Sequence, residues 1–273
     1  MKQSFLLLFI LLFAYVTKAA SVDTVTVYST AMHKNIKCVI IKPDTYTKKQ
    51  GKYGVIYLLH GYSDRYDTWI KTVPALKEYA DLLQVIIACP DGGFSSWYFD
   101  SPVDSSCKYE THVSKEVVNY LDRYYHTFAD RGHRGIAGLS MGGHGALYLA
   151  LRHPDIFGAA GSMSGGVDLR PFPAEWDIAK RLGDIHQYTD NWQKNSIQNM
   201  VGHFSGKPLA IMIECGTDDF FYGVNQQLHK KMLELKMAHD YVERPGKHTW
   251  EYWSNAVEYQ LLFLTRSFTR QGN

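Results

Sequence analysis

Beyond its first sixteen residues the chain has no apolar run long enough to span a bilayer. It also lacks any block of basic charge. The 29 Lys and Arg and 27 Asp and Glu leave a net charge of +2 and are spread along the chain. That removes the electrostatic footprint expected of a nucleic-acid partner or an anionic membrane surface. Cysteine is scarce, with four residues and no C-x-x-C spacing, so no zinc ligand set is visible. Three of the four, Cys38, Cys89 and Cys215, sit in or at the end of strand-like apolar runs. Buried free thiols are the expected state, with Cys38 and Cys89 the pair a disulfide would join. No internal repeat, low-complexity tract or linker divides the 273 residues. Aromatics are plentiful, with 6 Trp, 19 Tyr and 13 Phe. Such a surplus packs a core or lines a pocket for rings and sugars.

The N-terminus has its own pattern. Met1-Lys2-Gln3 carries one positive charge, Ser4 to Val16 is almost wholly apolar, and Ala19-Ala20 offers small residues for cleavage. This is the layout of a secretory signal peptide over residues 1–20. The expected mature protein, 21–273, is a single domain that is secreted or periplasmic, without stable membrane insertion.

Short apolar, β-branched runs then alternate with longer amphipathic stretches. Strands are predicted at Thr24–Ser29, Ile36–Ile41, Val55–Leu59, Val85–Cys89, Arg134–Leu139, Ala159–Ser164, Leu209–Cys215 and Asp240–Arg244. Helices are predicted at Asp67–Leu83, Glu110–Tyr125, Gly142–Arg152, Tyr222–Met237 and Trp250–Arg266. Continuous apolar strands suit a sheet buried on both faces. Alternation of strand and helix is the sequence form of an α/β fold with a mostly parallel sheet of about eight strands and helices on both faces. One segment, Val167–Lys207, is longer than a simple crossover and carries Pro171, Pro173, Trp176, Tyr188 and Trp192. Insertions of this kind often wall a pocket, so a partial lid is expected there.

Gly138-Leu139-Ser140-Met141-Gly142 matches G-x-S-x-G between a predicted strand and a helix rich in small residues. A strand, a sharp turn and a helix are what a nucleophile elbow requires. The flanking glycines leave room for a strained Ser backbone against the neighbouring strand and helix. Ser140 is therefore the expected nucleophile. It needs a His as base, oriented by a carboxylate. His248 lies in a loop just past the strand run YVERPG and ahead of the last helix. His229 falls within a helix and His239 immediately precedes a strand, so His248 is the expected base. Asp218 and Asp219 follow the strand LAIMIEC, and spacing alone does not choose between them. An oxyanion hole needs two N–H donors. Met141, after the nucleophile, supplies one. His60-Gly61, after the strand VIYLL, points to the N–H of Tyr62 as the other. His60 itself reads as a buried residue bonded to backbone, and it also stands among the candidate substrate contacts. The chemistry calls for no metal and no cofactor.

The stretches YLLHGYSDRYDTW, PDGGFSSWYFDSP, YETHVSKEVV, HRGIAGLSMGGHGALYLALRHPDIF, SGGVD, ECGTDDFFYGVN and RPGKHTWEYW occur in that order. Together they resemble the esterase D-like family of α/β-hydrolases. That family includes bacterial feruloyl and acetyl-xylan carbohydrate esterases, tributyrin esterases, S-formylglutathione hydrolases and the mycolyltransferase antigens. The resemblance implies the α/β-hydrolase fold and a triad of Ser140, Asp219 and His248, with Tyr62 and Met141 as oxyanion donors. It also implies that the loop DGGFSSWYFDSP borders the substrate, with Trp97 and Asp100 as contacts. Trp97, Tyr98, Phe99 and Trp192 are candidates to hold a feruloyl ring or a sugar.

The expected function is hydrolysis of short-chain acyl or feruloyl and acetyl esters of carbohydrates through an acyl-enzyme. The ester is a small molecule or is linked to a polysaccharide. Rival readings are an acyltransferase of the mycolyl type, a thioesterase of the S-formylglutathione type and a non-catalytic binding protein on a hydrolase scaffold.

Overall fold

A computed structural model describes residues 19–47, 51–204 and 208–268. Most of the predicted signal peptide lies outside the described residues, so the structure does not bear on it. Among the described residues no helix is long and apolar enough to cross a membrane.

Eight strands form one sheet: β1 Ser21–Ser29, β2 Lys34–Lys42, β3 Gly54–Leu59, β4 Val85–Pro90, β5 Arg134–Leu139, β6 Ala159–Met163, β7 Ala210–Gly216 and β8 Asp240–Arg244. Their order is β1-β2-β4-β3-β5-β6-β7-β8. β1 and β2 pair antiparallel, as do β2 and β4, and every later pair is parallel. The fold is an α/β-hydrolase sheet. The helices are α1 Thr68–Thr72, α2 Leu76–Leu83, α3 Tyr109–Thr111, α4 Val118–Tyr124, α5 Met141–Arg152, α6 Ile178–Leu182, α7 Thr189–Asn195, α8 Ile197–Met200, α9 Tyr222–Glu234 and α10 Trp250–Phe268.

Residue alternation divides the core between the two faces of the sheet. Val55, Tyr57 and Leu59 of β3 pack with Leu147 of α5 and Leu228 of α9, whereas Ile56 and Leu58 pack with Leu76 of α2 and Leu261 of α10. β3, β4 and β5 are buried at every position, as continuous apolar runs require. The same alternation decides the cysteines. Cys38 lies in one core and Cys89 in the other, on opposite faces, so a bond between them is ruled out by direction. All four cysteines are free and buried. Burial pushes the Cys89 thiol up to about 12, leaving it inert at neutral pH.

Two predicted helices are interrupted. The stretch 67–83 breaks into α1 and α2, because Pro74 lacks an N–H and holds Val73 out of helical geometry at φ −124° and ψ 73°. The stretch 110–125 contains a π-helical turn, His112–Val117, between α3 and α4.

Glu110, at the start of this interrupted helix, ties it to α5. Its carboxylate accepts from Tyr148 Oη, Arg152 Nε and His153 Nε2, each at 2.8 Å. Burial alone would raise its pKa, but these donors outweigh burial and hold the carboxyl at about 2, against 4.5 ordinarily. A depressed folded-state pKa stabilises the fold above the unfolded value, and that contribution is lost as pH falls. The loss therefore runs from about pH 4.5 down to about 2, and the shift corresponds to about 3 kcal/mol. Urea titrations of Glu110→Gln should show lower stability at pH 7 and a flatter decline through that window. A decline as steep as that of the unaltered protein would remove Glu110 as its cause.

Candidate active site

Ser140 sits between β5 and α5 with φ 53° and ψ −116°, a strained backbone held by its surroundings. A Cβ on Gly138 would lie 2.4 Å from the Gly142 carbonyl oxygen, and one on Gly142 would lie 2.6 Å from the carbonyl oxygens of Leu59 and His60. The turn is therefore closed by backbone on backbone, with no space for a methyl group. Gly138→Ala should cost about 1–3 kcal/mol through overpacking. An unchanged urea midpoint would show that the elbow has slack.

His248 and Asp219 meet Ser140 from neighbouring strand ends. Thr217 N–H donates to the Arg244 carbonyl and Asp218 N–H to that of Gly246, both at 2.9 Å. These bonds lash the turn after β7 to the loop after β8. Below them the fully buried Glu214 pairs with Arg244. His248 Nδ1 then lies 2.8 Å from Asp219 Oδ2, and His248 Nε2 lies 2.9 Å from Ser140 Oγ. The carboxylate can only accept, so Nδ1 carries the proton and Nε2 is free to accept from the Ser hydroxyl. Asp219 is buried and also accepts from Phe221 N–H at 2.8 Å. Asp218 is exposed, and its side chain takes no part in this chain of bonds. Of the two carboxylates that spacing left open, Asp219 is the one that reaches the imidazole.

The loop after β3 passes directly over the nucleophile. A Cβ on Gly61 would be 3.7 Å from Ser140 Cβ, and Ser63 N–H donates to the Phe94 carbonyl at 2.8 Å. Tyr62 is thus held beside Ser140. Met141 is the first residue of α5, where an N–H has no partner within the helix. The arrangement can deprotonate a hydroxyl, direct it at a carbonyl and hold the resulting oxyanion.

Comparison with known proteins agrees with this chemistry. The model of the Esterase family matches residues 29–264. The chain belongs to the Esterase family. An esterase of Mycobacterium tuberculosis is 32% identical over 134 residues, 48% of this chain but 29% of that protein, so the match spans under a third of the relative. An acetyl esterase of Caldicellulosiruptor saccharolyticus is 25% identical over 249 residues, covering 84% of this chain and 92% of that one. Among solved structures, a ferulic acid esterase superposes with a TM-score of 0.79 at 30% identity, covering 91% of this chain and 98% of the other. Family membership and these neighbours support a carboxylic-ester hydrolase.

Several expected substrate contacts are placed elsewhere in the fold. His60 is buried; its Nδ1–H donates to the Gly61 carbonyl at 2.8 Å, and its Nε2 accepts from Gly92 N–H at 2.7 Å. With both ring nitrogens occupied it braces two loops and does not face substrate. Trp97 is 1% exposed and donates its indole N–H to the Trp176 carbonyl at 3.0 Å. Asp100 accepts from Thr111 N–H and Thr111 Oγ1 at 2.9 and 2.6 Å, holding the first turns of the helix that starts at Tyr109. Tyr98, Phe99 and Trp192 are fully buried core residues.

Other rings lie closer to the triad. Phe220, 52% exposed, lies 4.1 Å from the His248 ring. Phe94, 59% exposed, pairs edge-to-face with Tyr62 at 4.9 Å. Phe220 has a signal in the sequence, since it directly follows Asp219 and is carried wherever that carboxylate is placed. A hollow of about 800 Å³ beside Leu151, Met200 and Phe204 is lined by no triad residue, so volume alone does not find the site.

Proposed function

We propose that the protein is an exported serine carboxylic-ester hydrolase acting on feruloyl or short-chain acyl esters of carbohydrates. The reading rests on one observation above all: the Ser140–His248–Asp219 chain of contacts at 2.9 and 2.8 Å on a strained elbow. His248 takes the proton of Ser140 as Oγ attacks the ester carbonyl. Asp219 holds the tautomer and stabilises the imidazolium. The N–H groups of Tyr62 and Met141 bind the oxyanion, each worth about 2.7–4 kcal/mol of barrier. His248 returns the proton to the departing alcohol. Water, activated by the same imidazole, then releases the acid.

Residues 167–204 serve as a wall more than a free lid. Val167, Leu169, Ile178, Leu182, Trp192, Ile197 and Val201 are buried and anchor the segment to the core, while much of the chain between them is exposed. Trp176 is its reach toward the triad, through Phe220. The n, h and c pattern of the first twenty residues supports export.

A panel of acetyl, butyryl and feruloyl esters, on methyl and on sugar alcohols, tests the reading. Turnover of acetyl or feruloyl sugar esters is expected. A strict preference for long acyl chains would contradict it. Acyl transfer to an added sugar in place of release to water would assign the transferase reading instead.

A further inference from the structure

We infer that Phe220 and Trp176 form the subsite for the alcohol half of the ester, and that this subsite is built for a sugar ring. The inference rests on the esterase reading above. Phe220 is 52% exposed beside the triad; a lone exposed ring is ordinary on a protein surface, and what sets this one apart is that it joins the His248 ring to that of Trp176. Its ring lies 4.1 Å from His248 at 35° and 5.3 Å from Trp176 at 17°. The three rings thus form a row of steps from the imidazole to the segment that crosses between β6 and β7.

The position of Phe220 follows from the triad itself. Asp219 N–H donates to the Gly216 carbonyl at 3.2 Å, and Tyr222 N–H to the Asp219 carbonyl at 3.0 Å. This turn sets Phe220 beside the imidazole. Trp176 is held independently. Its backbone is left-handed at φ 46°, and its carbonyl accepts the Trp97 indole N–H at 3.0 Å. Phe172 and Phe221 pack on its ring at 5.5 and 5.1 Å.

Orientation of His248 does not require Phe220. Asp219 fixes Nδ1, while Phe221 at 5.4 Å and 79° and Trp253 at 4.7 Å and 90° hold the imidazole edge-on. What Phe220 adds is exposed apolar surface against the imidazole that must hand a proton to the leaving oxygen. Microscopic reversibility puts the alcohol there, because the same nitrogen protonates it. A methyl alcohol is too small to reach past His248 to the outer steps. A sugar ring is large enough, and its C–H faces match aromatic walls that bring few polar groups of their own.

Kinetics on two esters of one acid test this: methyl ferulate and the ferulate ester of an arabinose methyl glycoside. In Phe220→Ala, and again in Trp176→Ala, the ratio of kcat/KM for the sugar ester to that for the methyl ester should fall about five- to tenfold, mainly through KM. Phe220→Leu, which keeps bulk over His248 but no flat face, should keep kcat near that of the unaltered protein without restoring the ratio. If both esters lost activity by the same factor through kcat, with a displaced pH profile, Phe220 would be a prop for His248 and the subsite would be disproved. An unchanged ratio in both Ala variants would disprove it equally. Unaltered protein that cleaved neither ester would overturn the esterase reading itself, a result distinct from either.

Discussion

Ser140→Ala should lower kcat for any ester the protein cleaves by about a millionfold, with the fold intact. The side chain is small, so its removal costs little packing, while the strained elbow is set by Gly138 and Gly142 rather than by the hydroxyl. No other group replaces the nucleophile. Asp219 Oδ2 is committed to His248 at 2.8 Å, and the four thiols are buried. His248→Ala should fall by a similar factor, and the double variant should fall little further, because the residues act as a unit. The measurement is initial-rate hydrolysis of a 4-nitrophenyl ester, with circular dichroism to confirm folding. A loss under a hundredfold in Ser140→Ala would remove Ser140 from the reaction.

Asp219→Asn should lower kcat by about ten-thousandfold, since the amide favours the wrong imidazole tautomer. Asp218→Asn should do almost nothing. The two residues are adjacent and chemically identical, so the comparison isolates geometry. Asp219 is buried and bonds to Nδ1, whereas Asp218 is exposed and contributes only its backbone N–H to the Gly246 carbonyl. Equal losses in the two variants would mean that the turn tolerates exchange of the carboxylates. A larger loss in Asp218→Asn would contradict the assignment.

Much of this was legible in the chain because it depends on local order. β5 and β8 occupy the predicted residues, Arg134–Leu139 and Asp240–Arg244. Buried parallel strands leave continuous apolar runs, and the elbow needs glycines at fixed offsets from the serine. The substrate wall was not legible, for an equally physical reason. Whether an aromatic ring faces solvent depends on what packs over it from distant segments. Trp97 looks like a contact in its loop, but the Trp176 carbonyl, 79 residues away, claims its indole. Asp100 resembles a ligand until Thr111 is seen beside it. Phe220 carries no local mark of exposure, yet its ring is half exposed and lies 4.1 Å from that of His248. The break at Pro74 was locally readable, since proline constrains the residue before it.

The central claim is that Ser140 Oγ forms a covalent acyl-enzyme. Treatment with a fluorophosphonate, followed by intact-mass and peptide mass spectrometry, tests it most directly. One adduct is expected, on the peptide containing Ser140, formed together with loss of esterase activity. The adduct should be absent in Ser140→Ala and strongly slowed in His248→Ala. An adduct on another residue, or full inactivation with Ser140 unmodified, would contradict it.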